Sequence, residues 1–197
     1  MKGYPSYSTS GDYLQAVCNL LPGLSKASDA LVAALAGAFD GGRTVFMAGN
    51  GGSAAAASHF AQDLAKGTLA DLRAKHRFRV LPLTDNVGYI TALANDEGYE
   101  HVFAHQMRAF AAPGDLLVAI SGSGNSPNIL SAADLAKSIG MSVIGVTGFD
   151  GGKLRSMCDV DVHVPIDDMG MCEAVHGVLF HLAMAMLRDH VTRANAA

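Results

Sequence analysis

His59 and Asp63 have side-chain types and a spacing that could bind a metal ion or move a proton. They lie four positions apart in the segment 53–66, whose pattern predicts a helix, so both side chains lie on one helix face. This spacing suits a pair of metal ligands or a histidine–carboxylate pair. A purely structural hydrogen bond would use the same spacing, and these two residues alone do not decide between the interpretations.

Glu173 and His181 offer the same chemistry near the end of the chain, eight positions apart in the predicted last helix, 171–190. At 1.5 Å per residue they are separated by ~12 Å along a straight helix, which is too far for one ion. Either the helix is irregular near Glu173, or different subunits supply the two residues. His176 shares a helix face with Glu173 and is an alternative ligand. Together with the earlier pair, these residues would carry two negative charges and favour a divalent cation.

Two loops rich in glycine and serine, GNGGS at 49–53 and SGSGNS at 121–126, follow predicted strands. Glycines let the backbone approach a ligand closely, and the following helix N-terminus favours an anion. Open α/β sheets bind ligands at this edge, so we interpret the second loop as a phosphate site. One such loop alone would equally fit a plain turn with Ser126 as a helix N-cap. Neither loop has the GK[ST] ending of a P-loop or a dinucleotide-type GxGxxG, so ATP and NAD are not supported.

The elements that must position these residues alternate between strand-like and helix-like patterns, which is typical of an α/β fold with a parallel sheet. The predicted strands are 44–48, 78–83, 115–120, 141–146 and 160–164, and the predicted helices are 12–21, 24–39, 53–66, 86–94, 100–110, 126–139, 152–157 and 171–190. We expect one domain over 1–197, with N-terminal helices over about 10–40 and a sheet domain over about 41–192.

The two N-terminal helices precede every strand, so they cannot connect strands of the sheet. They could form an oligomer contact or simply cover one sheet face. Half of the 197 residues are apolar and only 16% are charged. This composition indicates that some apolar surface is buried against other copies of the chain.

Composition also excludes several classes of protein. With 14 basic and 18 acidic residues the net charge is −4, which argues against direct nucleic-acid binding. We see no apolar run of ~18 residues that would span a membrane, and the polar segment 1–10 does not resemble a signal peptide. The three scattered cysteines form no disulfide framework, so we expect a reduced, cytoplasmic protein.

Six segments resemble, in order, the signatures of the phosphoheptose isomerases, which belong to the sugar isomerase (SIS) domain family. They are GNGGSAAAASHFAQDL at 49–64, LTDN at 83–86, ALANDEGYE at 92–100, ISGSGNSPNIL at 120–130, VTGFDGGKL at 146–154 and CEAVHGVLFH at 172–181. The resemblance covers about 10–192. It implies a five-stranded parallel sheet of flavodoxin-like topology, a homotetramer with active sites at subunit interfaces, and bound zinc.

The resemblance further implies conversion of sedoheptulose 7-phosphate into an aldoheptose 7-phosphate, toward heptose for lipopolysaccharide or other glycans. The residues implied to bind the substrate are Asn50, Gly51, Gly52, Ser53, Asp96, Ser121, Ser123 and Ser126. Those implied to bind metal are His59, Asp63, Glu173 and His181. Asp63 falls at the position of the general base and His181 at that of the acid, and Glu173 is a second candidate base.

The chain departs from the family pattern at three of its expected site positions. Asp63 replaces a glutamate, Glu173 replaces a glutamine, and Gly122 replaces a usual threonine. An aldose–ketose isomerisation needs a base, an acid and stabilisation of developing charge. The shorter Asp63 moves the base by about 1 Å, which could slow the reaction on the order of 100-fold.

An alternative is a non-catalytic SIS protein, acting as a sugar-phosphate sensor or as a tetrameric adaptor of a replication initiator. Such a protein could lose positions 59, 63 and 181 at no cost, whereas this chain retains acid–base side chains at all three. We therefore expect an isomerase.

Overall fold

A computed structural model describes residues 5–196 and contains one five-stranded parallel sheet. Its strands are β1 (Thr44–Gly49), β2 (Arg79–Pro82), β3 (Leu116–Ser121), β4 (Ser142–Thr147) and β5 (Val160–His163). The spatial order is β2-β1-β3-β4-β5, so the direction of winding reverses between β1 and β3. The predicted fold class and all five predicted strands are confirmed, with ends shifted by at most one residue.

The described residues also contain seven α-helices. They are α1 (Ser10–Leu20), α2 (Ser25–Asp40), α3 (Gly52–Gln62), α4 (Val87–Asp96), α5 (Val102–Arg108), α6 (Pro127–Ser138) and α7 (Met169–Ala196). Four predicted helices were wrong in detail, among them 171–190, which extends as α7 to Ala196. The helix 53–66 ends in a π-helical turn, Asp63–Gly67, while the helix 152–157 is only a 3₁₀ turn, Leu154–Ser156. The helix 100–110 begins as a 3₁₀ turn, Tyr99–His101.

The sheet is buried on both faces, which is why the central strands are continuous apolar runs rather than alternating ones. Alternate residues of β1 and β3 enter two separate cores. Val45 and Val118 pack in the core formed with α2, α3 and α7. Phe46 and Leu117 pack in the core formed with α5 and α6.

The two N-terminal helices have different roles. Helix α2 packs against α7 and β5 and buries Leu31 and Leu35, so it covers a sheet face. Helix α1 buries none of its residues, and Leu14 on it is exposed. The covering role therefore holds for α2, and the oligomer-contact interpretation stays open for α1.

Helix α7 is long and apolar enough, by length and composition alone, to cross a membrane, which the sequence analysis did not expect. One face of it, including Val175, Leu179 and Leu187, is buried in the first core against α2 and α3. In this structure α7 is thus a core helix of the sheet domain. The prediction that segment 1–10 is not a signal peptide concerns in part residues 1–4, which lie outside the described residues.

Candidate functional site

The serine loop after β3 forms one wall of a cavity of about 170 Å³ at the carboxyl edge of the sheet. The hydroxyls of Ser121 and Ser126 lie 3.2 Å apart. Ser126 occupies the N-cap position of α6, but its side chain makes no capping hydrogen bond. Ser126 is thus the N-cap residue by position, but its hydroxyl is not used for capping and lies beside that of Ser121. The cavity is lined by Asn50, Ser53, Ile120, Ser121, Gly122, Ser123, Ser126, Met169 and Glu173.

The shape of the serine loop depends on its packing against the loop that follows β4. Gly124 has φ 63°, and a Cβ at this position would collide with the carbonyl group of Gly151. The Leu154 N–H donates to the Gly124 carbonyl (2.9 Å), and the Gly148 N–H donates to the Gly122 carbonyl (2.8 Å). A glycine is required at position 124 because this left-handed conformation and close approach leave no room for a side chain.

An asparagine pair ties the first glycine-rich loop to the serine loop. The Asn50 Nδ2 donates to Asn128 Oδ1, and the Asn128 Nδ2 donates to Asn50 Oδ1, both at 2.8 Å. The Tyr99 hydroxyl also donates to Asn50 Oδ1 at 2.9 Å. Asn128 is only 1% exposed, so the pair is a buried link. Sequence reasoning missed Asn128 and Tyr99, although Asn128 stands in the motif that follows the serine loop.

The N-terminus of α3 supplies the opposite side of the cavity. Gly51 occupies the N-cap position of α3, and the buried Ser53 lines the cavity. The Glu173 carboxylate occupies the space that a Cβ on Gly52 would need. Asn50 and Ser53 of the first loop and the three serines of the second therefore line one cavity, with the Glu173 carboxylate beside them.

Asp96 does not join this cavity. It is exposed at the end of α4, where its Oδ1 accepts a hydrogen bond from Asn95 Nδ2 at 2.8 Å. Asp96 therefore lies outside the lining of this cavity within one chain, and its role in substrate binding stays a prediction.

His59, Asp63 and His181 form a second polar group, at the other end of α3. Asp63 Oδ2 lies 3.6 Å from His59 Nε2 and 3.5 Å from His181 Nε2. One ligand atom from each residue lies within 4.8 Å of the others. The Asp63 side chain is 10% exposed, whereas the two imidazoles are 58% and 57% exposed. Two imidazoles and a carboxylate that converge in this way could hold a divalent cation and leave a coordination position open.

Asp63 also begins the π-helical turn that ends α3. Such turns are often found at functional sites, because they redirect one side chain without ending the helix. The Gln62 amide donates to Asp63 Oδ1 at 3.3 Å, which leaves Oδ2 to the histidines. This local irregularity holds the carboxylate in its place between the imidazoles.

Glu173 is not part of this group in the described residues. Helix α7 is uninterrupted from Met169 to Ala196, so the expectation of an irregular helix near Glu173 is wrong. A regular helix keeps Glu173 ~12 Å along the axis from His181. One chain therefore brings together three of the four predicted metal ligands and places the fourth at the serine cavity.

His176 is a core residue, contrary to its interpretation as an alternative ligand. It is 1% exposed, and its Nε2 donates to the Thr147 carbonyl at 3.1 Å. Burial lowers the pKa of His176 to about 4, so the imidazole is neutral near pH 7. The Cys172 thiol lies 3.5 Å from the same nitrogen, and burial raises its pKa to about 12.

We expect His176 to make the fold sensitive to mild acid. Its pKa is depressed in the folded state, so the unfolded chain binds more protons between about pH 6.5 and pH 4. The stabilisation is fully present above pH 6.5, and about 3 kcal/mol is lost as the pH falls to 4. Urea unfolding of the wild type and of His176→Gln, which keeps an N–H donor, would show a smaller acid loss in the variant. An equal loss in both would contradict the assignment.

Comparisons with known proteins show which proteins this chain and its fold are similar to. A model of the SIS domain matches residues 11–148. A phosphoheptose isomerase of Rhodospirillum rubrum is 38% identical over 92% of this chain and 93% of its own length. One from Aliarcobacter butzleri is 41% identical over 76% of this chain and 77% of its own. The match to the solved structure of phosphoheptose isomerase GmhA from Neisseria gonorrhoeae covers 90% of this chain and 93% of that chain. The TM-score is 0.82 and the sequence identity is 31%. A phosphoheptose isomerase structure from Francisella tularensis has a TM-score of 0.84 and 30% sequence identity. The match covers 91% of this chain and 94% of that structure's chain.

Proposed function

From the premise that this chain belongs to the phosphoheptose isomerase family of SIS-domain proteins, we propose that it isomerises sedoheptulose 7-phosphate to an aldoheptose 7-phosphate. The observation that carries the proposal is that each chain has two complementary sites, the serine cavity and the His59–Asp63–His181 group. The first can bind a phosphate, and the second can carry out acid–base chemistry on the reacting carbons of a sugar, supplied by the same subunit or by another.

The phosphate serves as a handle whose binding energy positions the reacting carbons. Three hydroxyl groups donate hydrogen bonds to the phosphate, those of Ser121, Ser123 and Ser126. The N-termini of α3 and α6 add partial positive charge at the same cavity. Neutral donors and helix dipoles bind the dianion here, and the cavity lining contains no lysine or arginine. Asn50 and Ser53 complete the cavity, and Gly51 and Gly52 lie between them at the start of α3.

The reaction moves a proton between C1 and C2 of the sugar. The Asp63 carboxylate takes the proton from C1 of the ketose, while His181 donates a proton to the C2 carbonyl oxygen, which gives a 1,2-enediol. The aldose forms when a proton is returned to C2 and the C1 hydroxyl loses its proton. Asp63 suits the role of base because it is nearly buried and held between two imidazoles.

The donor set of His59, Asp63 and His181 fits a divalent cation, which we propose to be zinc. Such an ion would supply positive charge beside the oxygen on which negative charge develops. His59, whose imidazole is more than half exposed, is the ligand that takes no part in proton transfer in this scheme.

The length of α3 favours a site shared between subunits. Ser53 and Asp63 are ten residues apart, which is ~15 Å along the helix. The chain of bonds from phosphorus to C1, from which Asp63 takes the proton, has eight bonds of ~1.5 Å, so its contour is at most about 12 Å. One subunit's serine cavity and the same subunit's Asp63 are therefore poorly matched to one substrate molecule.

The exposed face of α7 suggests how a second copy completes the site. Val178, Leu182 and Met186 are exposed apolar residues on this face, next to His181. Gly177 lies midway between Glu173 and His181, and no atom lies within 4 Å of where its Cβ would be. Two copies of α7 that cross antiparallel at Gly177 would place Glu173 of each beside His181 of the other.

We therefore propose a homotetramer in which this contact joins pairs of subunits. Each active site then combines the serine cavity and Glu173 of one subunit with the His59–Asp63–His181 group of another. The Glu173 carboxylate would then be the fourth residue able to hold the cation, beside His59, Asp63 and His181 of the other subunit. We further propose that residues 1–197 form a single SIS unit, that the enzyme acts in the cytoplasm, and that its product enters heptose-containing glycans such as lipopolysaccharide.

We expect inorganic phosphate to stabilise the protein through the serine loop. Saturation at 100 times the dissociation constant should add ~2.7 kcal/mol to the free energy of unfolding. The Ser123→Ala/Ser126→Ala variant should lose this stabilisation, whereas Ser142→Ala, at the exposed start of β4, should keep it. Thermal unfolding with and without phosphate measures the difference. A full shift in the double variant would mean that the main anion site lies elsewhere.

A further inference from the structure

Met169 fills the space beside Gly122 in the serine loop. A Cβ built on Gly122 would lie 2.5 Å from Met169 Sδ and 3.0 Å from its Cε. The ring of Phe149 comes within 4.0 Å of the same point. The Met169 thioether therefore occupies the space that a side chain at position 122 would need, and the Phe149 ring lies next to it.

The start of α7 fixes the position of Met169. Asp168 Oδ1 accepts a hydrogen bond from the Met171 N–H, and the Asp168 carbonyl accepts one from the Cys172 N–H, both at 2.9 Å. Met169 is consequently in the first helical turn, four residues before Glu173 and on the same face. Both side chains line the serine cavity.

Phe149 is held in a conformation that side chains rarely adopt. Its φ is 49°, and in the described part of the chain it is the one non-glycine residue with a positive φ. Its N–H donates to the Ile166 carbonyl at 3.1 Å, which fixes the backbone in the segment before α7. Strained residues persist where the surrounding structure holds them, often beside binding sites. Here the strain places the ring near Gly122.

Met169 also separates two cavities. Besides the serine cavity of about 170 Å³, it lines a neighbouring one of about 280 Å³. The neighbouring cavity is lined by Ser123, Asn125, Phe149, Asp150, Asp167 and Met169. Truncation of Met169 would open one cavity toward the other on the side of Gly122.

We infer that Met169 is a specificity-determining residue that restricts the serine cavity to phosphate monoesters. The inference rests on the proposed function, because it takes the serine loop as the phosphate site. A monoester has one substituent, the sugar, which leaves the cavity toward Glu173 and the substrate-binding end. A second ester substituent would have to leave past Gly122, where Met169 and Phe149 stand. The selectivity for monoesters over diesters therefore comes from steric exclusion by Met169 and Phe149 rather than from a charged side chain.

Methyl phosphate and dimethyl phosphate test this directly, as the smallest monoester and diester. Their dissociation constants can be measured by ligand-observed NMR on the full-length protein. The wild type should bind methyl phosphate and strongly disfavour dimethyl phosphate. Met169→Ala should improve dimethyl phosphate binding about tenfold relative to methyl phosphate, while Met157→Ala, a half-buried methionine outside both cavities, should leave the ratio unchanged.

A second variant tests the contact between Gly122 and Met169. The methyl group of Gly122→Ala and the thioether cannot occupy the same space, so Met169 must move. We expect about tenfold weaker methyl phosphate binding in Gly122→Ala, and recovery in Gly122→Ala/Met169→Ala, because the two changes are coupled.

An unchanged monoester-to-diester ratio in Met169→Ala would overturn the inference, and so would additive losses in the double variant. In either case, methyl phosphate binding by the wild type would leave the proposed function standing. Failure of the wild type to bind methyl phosphate at all would contradict both.

Discussion

Asp63→Asn is expected to lower the turnover of sedoheptulose 7-phosphate by about 10³-fold, within the range that general acid–base catalysis contributes. The amide keeps the size of the side chain but cannot accept the C1 proton. Among residues 5–196, Asp63 is the only carboxylate in the group with His59 and His181, so neither of those two residues replaces it as a carboxylate base. The loss should appear in kcat, while methyl phosphate binding at the serine cavity stays within a few-fold of the wild type.

The matched control is Asp71→Asn, an exposed aspartate in the loop after the π-helical turn. It removes the same charge without touching either site and should keep full activity. Steady-state kinetics with zinc present would measure both variants. If Asp63→Asn keeps more than a tenth of the wild-type kcat, Asp63 is not the base, and Glu173 becomes the candidate.

Mixed oligomers of two inactive variants are expected to regain activity. In a 1:1 mixture of Asp63→Asn and Glu173→Ala subunits, a shared site needs Asp63 from one kind and Glu173 from the other. An intact site takes Glu173 from an Asp63→Asn subunit and Asp63 from a Glu173→Ala subunit. Random assembly meets each requirement with a chance of about one half, so about a quarter of the sites should be intact. The variants can be co-expressed with different tags, and doubly tagged oligomers purified and assayed.

The control mixture combines Asp63→Asn with His181→Asn. These two residues meet within one chain, so no exchange of subunits restores an intact group. We expect this mixture to stay inactive. Recovery in the control but not in the first mixture would show that the sharing proposed around Gly177 is wrong.

The sheet could be predicted closely from the sequence because its strands are apolar runs bounded by glycine, proline and aspartate. The pairing of His59 with Asp63 followed from helical spacing, and the structure adds His181 to that pair. Spacing could not show that His176 faces the core while Glu173 faces the cavity, since residues three apart share a face only approximately.

Other features of the site depend on contacts between distant parts of the chain. Asn128 reaches Asn50 across 78 positions, and Met169 meets Gly122 only after the sheet has formed. The residue pattern of a single π-helical turn, such as the one that begins at Asp63, cannot be distinguished from that of an α-helix. Such features follow from tertiary packing, which no local pattern of residues contains.

The most direct test of the account is to incubate the purified protein with sedoheptulose 7-phosphate, with and without zinc, and to follow the sugar by NMR in D₂O. We predict an aldoheptose 7-phosphate that carries deuterium at C2, because the proton held by Asp63 can exchange with solvent before it is returned. Unchanged sedoheptulose 7-phosphate under both conditions, from protein that still binds methyl phosphate, would contradict the account and indicate a protein that binds sugar phosphates without converting them.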